Sequence, residues 1–132
     1  MGSTAPLESH TRILLCDDTR DILLLLGAEF DLHPDLEIVG EAANGREVIS
    51  LAEAEQPDVI VLDLAMPEMD GLEALPEIRQ VAPKAKIIVL SGFEARGLAA
   101  RVMALGARRY VEKGTPASDI AGVIREVGSE AL

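Results

Sequence analysis

The sequence predicts an α/β fold, in which a sheet of parallel strands is covered on both faces by the helices that connect them. Short runs of Val, Ile and Leu alternate with helical patterns along the chain, as expected of strands joined by crossover helices. The composition is 48% apolar but only 2% aromatic, which favours an aliphatic core. The 132 residues are enough for one such domain, which we expect at residues 12–132 after a flexible arm at residues 1–11.

The first strand is predicted at residues 13–16 and ends in two adjacent carboxylates, Asp17 and Asp18. A helical pattern follows at residues 20–32, and the proline two residues further on disfavours its continuation. The apolar stripe expected to face the sheet consists of Ile22, Leu25, Leu26 and Leu32. Two neighbouring leucines widen this stripe, so the helix is either deeply buried or carries a docking patch.

The second strand is predicted at residues 36–43, and the Asn-Gly turn at residues 44–45 leads into a second helix. Pro57 ends that helix. Residues 59–62 are an uninterrupted run of Val, Ile and Leu, as expected of a central strand that is buried on both faces. This strand ends on Asp63, and a charged residue at that position requires an explanation.

The third helix is predicted to follow the loop at residues 65–71, and it contains Pro76, which removes one backbone hydrogen bond unless it lies in the first turns. Residues 87–90 form the fourth predicted strand, which is followed by Ser91 and by a helix that extends to about Leu105.

The last strand is predicted at residues 108–111, after Gly106 as the helix cap, and it is followed by Lys113. Thr115 and Pro116 then match an N-cap with proline at the first helical position. The apolar stripe of this last helix consists of Ile120, Val123, Ile124 and Val127.

Polar residues follow the predicted strands at the point where each strand ends. The carboxyl ends of parallel strands lie at one edge of an open sheet, where ligands bind. The residues expected at this edge are Asp17, Asp18, Asp63, Ser91 and Lys113. Three carboxylates at one place raise each other's pKa unless a cation neutralises them, and all-oxygen ligands favour Mg²⁺ or Mn²⁺.

Phosphoryl transfer requires an in-line nucleophile, a metal and fixed hydrogen-bond donors, and the predicted edge supplies each of them. Asp63 is the candidate nucleophile, and Asp17 and Asp18 are the candidate metal ligands. Ser91 and Lys113 are the candidate donors to the phosphoryl oxygens.

Four segments resemble the receiver domain of bacterial two-component response regulators, closest in pattern to the subfamily that often carries a helix-turn-helix output domain. The resemblance covers residues 12–127. The matching segments are LLCDD at 14–18, VIVLDLAMPEMDG at 59–71, VLSG at 89–92 and GARRYVEK at 106–113.

The resemblance implies a doubly wound, flavodoxin-like sheet in the strand order 2-1-3-4-5 with five helices. It implies that Asp63 accepts a phosphoryl group from a sensor histidine kinase, and that the backbone carbonyl of Ala65 is a further metal ligand. Ser91 and Tyr110 would be the switch residues, and phosphorylation could produce a homodimer. Such a domain is not a conventional enzyme, because it promotes only its own phosphorylation and dephosphorylation.

Three positions depart from the commonest pattern of this family. Gly114 follows Lys113 where many members have a proline in a cis bond, so the conformation of this peptide stays open. Ser91 replaces the commoner threonine, and Pro76 is unusual within the third helix.

The composition argues against several other classes of protein. The formal charge is −11, from 23 acidic and 12 basic residues, so we expect no direct binding of nucleic acid. The single cysteine, Cys16, cannot form an internal disulfide and suits a reducing compartment. No segment matches a signal peptide or a membrane span, so we expect a cytoplasmic protein.

Three alternative functions remain to be weighed against phosphorylation. An interaction module could keep the fold and switch without a phosphoryl group. A hydrolase or mutase with an aspartyl-phosphate intermediate would need an acidic residue two positions after the nucleophile, where this chain has Ala65. An FMN-binding module would need a hydroxyl- and glycine-rich loop after the first strand, where this chain has two carboxylates.

Overall fold

The sheet contains five parallel strands in the order β2-β1-β3-β4-β5, which confirms the predicted topology. The computed structural model describes residues 10–131. Most of the predicted arm at residues 1–11 therefore lies outside the described residues, but Thr11 already belongs to the sheet. The strands are β1 (Thr11–Cys16), β2 (Leu36–Ala42), β3 (Val59–Leu62), β4 (Lys86–Ser91) and β5 (Arg109–Glu112).

The helices lie on both faces of the sheet; the first four connect successive strands, and the fifth follows β5. They are α1 (Arg20–Asp31), α2 (Gly45–Glu55), α3 (Gly71–Val81), α4 (Ala99–Ala104) and α5 (Ala117–Gly128). In residues 10–131, no helix is long and apolar enough to cross a membrane.

The connection between β4 and β5 differs from the continuous helix that the sequence predicts. Its first part, Phe93–Leu98, is a 3₁₀ helix, and only the last six residues are α-helical. Gly97 lies at the junction, and glycine is unfavourable inside an α-helix. Gly106 follows the helix with a φ of +112°, in the region that favours glycine, which agrees with its predicted role as a cap.

The core has two layers, one on each face of the sheet. Along β1 the side chains alternate, so that Leu14 and Cys16 face α2, α3 and α4, whereas Ile13 and Leu15 face α1 and α5. The middle strand, β3, is buried along its whole length. This arrangement fixes the end of β3, and therefore Asp63, at the centre of the sheet.

The buried face of α1 agrees with the prediction at Ile22 and Leu26 but not at Leu25 and Leu32. Leu26 and Phe30 are buried, whereas Leu25 and Leu32 are 56% and 73% exposed. The buried stripe is set by the i, i+4, i+8 spacing of Ile22, Leu26 and Phe30. The helix therefore presents an exposed set of leucines to solvent, here called the α1 leucine patch, which consists of Leu24, Leu25 and Leu32.

Proline affects α3 and α5 in different ways. In α3 the Asp70 side chain accepts from the Glu73 amide, and the Glu73 side chain accepts from the Asp70 amide, which is a capping box. Pro76 is the sixth residue of α3, beyond the first turn, so one helical hydrogen bond is lost. In α5 the predicted start is one residue early, because Pro116 is extended (ψ 141°) and occupies the N-cap itself.

Four helix C-termini accept hydrogen bonds from side chains of other segments. The donors lie at the amino edge of the sheet, where the helices of parallel α/β units end. They are Arg12 Nη1 to Glu55 O (2.6 Å), Gln56 Nε2 to Val81 O (2.9 Å), Arg79 Nη1 to Leu105 O (3.3 Å) and Lys86 Nζ to Gly128 O (3.3 Å). These bonds satisfy carbonyl groups that the ends of helices leave without partners.

Candidate functional site

The predicted polar residues meet at the carboxyl edge of the sheet. Asp17 and Asp18 follow β1, Asp63 follows β3, Ser91 is the last residue of β4, and Lys113 follows β5. Because β1, β3, β4 and β5 are consecutive neighbours in the sheet, these residues lie side by side. The structure therefore brings the residues that the sequence predicted for this edge together.

Backbone hydrogen bonds hold these strand ends in register. The Asp63 amide donates to the Cys16 carbonyl at 2.9 Å, which extends the pairing of β1 with β3 by one residue. The Lys113 amide donates to the Ser91 carbonyl, also at 2.9 Å. The side chains of the site therefore start from fixed backbone positions.

The carboxylates combine strong burial with unused hydrogen-bonding capacity. Asp17 and Asp63 are 3% and 1% exposed, whereas Asp18 is exposed. One oxygen of each buried carboxylate accepts from a backbone amide, that of Thr19 at 2.8 Å and that of Ala65 at 3.3 Å. The other oxygens, both Oδ2, have no hydrogen-bond partner within residues 10–131.

Lys113 places its ammonium between the two buried carboxylates. Its Nζ atom lies 3.0 Å from Asp17 Oδ2 and 3.3 Å from Asp63 Oδ2. These are ion-pair distances, but the directions do not meet hydrogen-bond geometry, so lone pairs remain for another ligand. The ammonium partly neutralises two carboxylates that would otherwise repel each other.

Burial raises the pKa of Asp63 to about 6, and the negative charge of Asp17 adds to this effect. Lys113 and the Ala65 amide act in the opposite direction. Burial lowers the pKa of Lys113, but its interactions with the two negatively charged aspartates outweigh this effect, so that the net shift is upward. At neutral pH the site therefore contains an ionised, weakly solvated carboxylate beside a permanent cation.

The donor set fits a hard divalent cation. One oxygen from each of Asp17, Asp18 and Asp63 lies within 4.8 Å of the others. The opposite ligands of octahedral Mg²⁺ are about 4.2 Å apart, so only a small adjustment is needed. The two buried, unpartnered Oδ2 atoms provide negative charge, and the exposed Asp18 leaves a side open to water, which Mg²⁺ retains.

Two buried hydroxyl groups lie on the side of the site towards β5. Ser91 is 1% exposed, and its Oγ atom has no hydrogen-bond partner in the described part of the chain. Tyr110 is half-buried against the α2–α4 layer, and its hydroxyl is likewise buried and unpartnered there. An unsatisfied buried hydroxyl costs about 1–3 kcal/mol, so both groups favour any change that provides an acceptor.

Gly71 is a structural requirement of the site to which the sequence analysis assigned no role. A Cβ atom at this position would lie 2.0 Å from the backbone oxygen of Asp63. The loop after β3 therefore folds back directly over the strand end, and the Gly71 amide donates to Leu64 O at 3.0 Å. The signal was the Asp-Gly pair at residues 70–71, in which the aspartate caps α3 and the glycine permits the close approach.

Cys16 lies directly below the carboxylates but has no reactive character. Its Sγ atom is 3.3 Å from Met66 Sδ and 3.7 Å from Asn44 O. Burial raises the pKa of the thiol far above its usual range, and the charges of Asp63 and Asp17 raise it further. The residue is a packing element beneath the site, as the sequence analysis expected of a lone buried cysteine.

The Lys113–Gly114 peptide, whose conformation the sequence left open, is trans, because residues 10–131 contain no cis peptide bond.

Comparison with known proteins gives the family. The model of the response regulator receiver domain matches residues 13–125. The transcriptional regulatory protein LiaR of Bacillus subtilis is 40% identical over 114 residues, which are 86% of this chain and 54% of LiaR. The response regulator protein VraR of Staphylococcus epidermidis is 35% identical over 115 residues, 87% of this chain and 55% of VraR. The chain thus spans about half the length of these curated relatives.

Solved structures agree with this assignment. The response regulator domain of Thermotoga maritima CheB has a TM-score of 0.83 and 28% identity, over 93% of this chain and 99% of that chain. A DNA-binding response regulator of the LuxR family from Staphylococcus aureus has a TM-score of 0.83 and 28% identity, over 90% and 99%. The chain therefore belongs to the response regulator receiver domain family, whose members mediate phosphorylation-dependent signal transduction.

Proposed function

We propose that Asp63 is the phosphoacceptor of this domain and that its phosphorylation is the signal. The observation that supports this most directly is the Oδ2 atom of Asp63. It is buried at the end of the central strand, has no hydrogen-bond partner in residues 10–131 and lies 3.3 Å from an ammonium group. A carboxylate in this position is stripped of water and retains a lone pair for attack on phosphorus.

In the proposed reaction, an oxygen of Asp63 attacks the phosphorus of a phosphohistidine on a sensor histidine kinase. A P–O bond forms, the P–N bond breaks, and the released imidazole takes up a proton. Lys113 neutralises charge on the phosphoryl oxygens, and the Ser91 hydroxyl donates to one of them. Because these groups are held by the sheet edge before the donor arrives, little reorganisation is needed.

Asp17, Asp18 and Asp63 would hold the metal, with the carbonyl of Ala65 as a fourth protein ligand. Mg²⁺ or Mn²⁺ bound there neutralises the carboxylates and the transferring phosphoryl group. The carboxylates would position that charge, and Lys113 places a second positive charge 3.3 Å from Asp63 Oδ2.

All of these groups belong to this chain, so the domain promotes its own phosphorylation and, with water as the acceptor, its own dephosphorylation. A small phosphodonor such as acetyl phosphate is therefore expected to replace the kinase. This distinguishes the domain from a conventional enzyme, which acts on a separate substrate. The buried free thiol of Cys16 agrees with a cytoplasmic location, where the kinase domain would also lie.

The switch would involve Ser91 and Tyr110. Their hydroxyl groups lack partners in the described residues. A phosphoryl oxygen near Ser91 would provide an acceptor for its hydroxyl and so favour a rearrangement at the ends of β4 and β5. The face formed by α4, β5 and α5 would then change shape and bind a second copy of the chain or an output domain. The α1 leucine patch begins six residues after Asp18 in the chain, and it is the surface that we propose for contact with the kinase.

The decisive experiment is mass spectrometry after incubation with acetyl phosphate and Mg²⁺. The wild type should gain the mass of one phosphoryl group, and acid or hydroxylamine should remove it. Asp63→Asn should gain none, whereas the matched control Asp58→Asn, at the other end of the same strand, should react normally. An equal adduct on the Asp63→Asn variant would exclude Asp63 as the acceptor.

A module that switches without phosphorylation makes a different prediction for metal binding. In a titration with Mg²⁺ followed by NMR, our proposal requires shifts at the amides near Asp17 and Asp63. An unchanged spectrum around Asp63, together with no adduct, would favour the phosphorylation-independent module.

A further inference from the structure

An ion pair links the connection after β4 to the end of β5. Arg96 belongs to the 3₁₀ segment Phe93–Leu98. Its Nε atom donates to Glu112 Oε2, and its Nη2 atom lies 3.2 Å from Glu112 Oε1. Two parallel bonds between a guanidinium and a carboxylate define an orientation as well as a distance. The 3₁₀ segment is therefore attached to β5 in one arrangement.

This ion pair and the backbone contacts of β4 and β5 together connect the 3₁₀ segment to the site. Glu112 is the partner of Ser91 in the register of β4 and β5, and it immediately precedes Lys113. The Lys113 amide donates to the Ser91 carbonyl, and the 3₁₀ segment begins two residues after Ser91. Any movement of Ser91 relative to Lys113 therefore changes the distance between Arg96 and Glu112.

Tyr110 lies on the same side of β5 as this ion pair. Side chains two positions apart on a strand point to the same face, so Tyr110 and Glu112 share one. The hydrogen bond that Arg96 donates to Glu112 is the main cause that raises the pKa of Arg96, and the Tyr110 phenol contributes to the same effect. The Arg96 guanidinium is therefore bound on the face of β5 that also carries Tyr110.

Two hydroxyl groups on these strands, Ser91 Oγ and Tyr110 Oη, are buried and have no hydrogen-bond partner within the described residues. Buried hydroxyls without partners are unfavourable, so an opposing interaction must hold this arrangement. The bidentate ion pair between Arg96 and Glu112 connects the two segments that would have to separate for both hydroxyls to rearrange.

We propose that the Arg96–Glu112 ion pair is a latch that holds Phe93–Leu98 and Tyr110 in the unphosphorylated arrangement, so that both residues of the pair oppose phosphorylation at Asp63. They are positioning residues, since neither is placed against the phosphoryl group. The inference rests on the proposed function of Asp63. When Ser91 turns its hydroxyl towards a phosphoryl oxygen, the following segment is drawn away from Glu112 and the latch opens.

The size of the effect follows from the exposure of the pair. The side chains are 58% and 37% exposed, and exposed ion pairs change an equilibrium by a factor of up to about five. Removing the latch should therefore lower the half-saturating concentration of a phosphoryl mimic by about two- to five-fold. The melting temperature should change only slightly, because an exposed ion pair adds little to the stability of the folded state.

The test uses beryllofluoride with Mg²⁺ as the phosphoryl mimic, and compares the wild type with Arg96→Gln, Glu112→Gln and the double variant. The chain has one tyrosine and no tryptophan, so its intrinsic fluorescence comes from Tyr110 alone. Fluorescence intensity and acrylamide quenching report the environment of Tyr110 before and after the mimic is added. The matched control is the double variant Arg125→Gln/Asp35→Asn, which removes another bidentate pair at the amino edge.

The latch predicts that the ligand-free double variant shifts its Tyr110 emission and quenching towards the values of the wild type with beryllofluoride. It also predicts that both single variants lower the half-saturating concentration, although they change the charge in opposite directions. If instead Arg96→Gln raises and Glu112→Gln lowers that concentration, and the double variant equals the wild type, the effect is charge alone and the latch is refuted.

A failure of the proposed function gives a different result. Wild type that shows no response to beryllofluoride and Mg²⁺ would contradict the role of Asp63, and with it the effect of the latch on phosphorylation. The ligand-free fluorescence would still show whether the ion pair holds Tyr110, because that comparison needs no phosphoryl mimic.

Discussion

The pKa of Asp63 has a direct consequence for stability. The carboxyl is 1% exposed, and its pKa is raised from 3.8 to about 6, first by burial and then by Asp17. The folded state therefore binds more protons than the unfolded state between about pH 4 and pH 6. Stability must fall as the pH rises through this range, because ionisation is harder in the folded state.

The magnitude follows from the difference between the two pKa values. About two pH units at about 1.4 kcal/mol each give an upper limit of about 3 kcal/mol, fully expressed above pH 6. The Asp63→Asn variant keeps the shape of the side chain and removes the charge. Without divalent metal at pH 7, we expect it to be about 1–3 kcal/mol more stable than the wild type.

The assay is urea unfolding in EDTA, followed by circular dichroism at pH values between 4 and 8. The difference between Asp63→Asn and wild type should be small at pH 4, grow through pH 5–6 and then remain constant. The control is Asp18→Asn, which changes the net charge equally at an exposed position. Added Mg²⁺ should reduce the difference, since the metal stabilises the ionised wild type.

A variant no more stable than the wild type at pH 7 would refute the reasoning. A constant difference across the whole pH range would also refute it, because only a titrating group produces the predicted slope. Either result would mean that Asp63 is solvated or neutralised well enough to keep an ordinary pKa.

Other predictions test single features of the structure. Gly71→Ala should lose about 1–3 kcal/mol in urea unfolding and slow phosphorylation by acetyl phosphate, because the new Cβ meets the Asp63 backbone oxygen. Asp70→Ala should lose about 1 kcal/mol, since the α3 capping box disappears. Arg125 lowers the pKa of Asp35, so its contribution to stability is present above about pH 4 and lost in acid. Asp35→Asn should remove that part of the acid dependence, less than about 1 kcal/mol, in thermal melts between pH 3 and pH 6.

Matched variants separate these effects from general damage. Gly122→Ala places a Cβ where nothing lies within 4 Å, and it should not destabilise the protein. Asp119→Ala, in the first turn of α5, should cost less than Asp70→Ala because the latter also removes a capping box. Normal stability of Gly71→Ala, or equal losses for the two aspartate variants, would contradict the corresponding argument.

The location of the site was predictable because it depends on chain order. A parallel sheet brings every strand end to one edge, so Asp17, Asp63 and Lys113 had to meet once the strands were recognised. The central strand β3 could be predicted because Val, Ile and Leu run without interruption through Val59–Leu62. No detailed side-chain geometry was needed for that inference.

The predictions that were wrong concern segments whose pattern of apolar residues is compatible with more than one structure. Five consecutive apolar residues at positions 22–26 do not fix the rotation of α1, and Phe30, not Leu25 or Leu32, determines the buried face. The split of the β4–β5 connection into a 3₁₀ and an α-helical part was likewise not encoded in apolar spacing. The Arg96–Glu112 pair depends on that split, and therefore only the structure reveals it.

The side chains that bind the helix C-termini make the two edges of the domain mechanically unequal. Arg12, Gln56, Arg79 and Lys86 tie the ends of four helices to neighbouring segments at the amino edge. The carboxyl edge has buried oxygens and hydroxyls whose bonding is incomplete within the described residues. The domain is thus stiff at one end and adjustable at the other. A change of charge at Asp63 therefore acts first on the loops and helix starts of the carboxyl edge, while the amino edge keeps its arrangement.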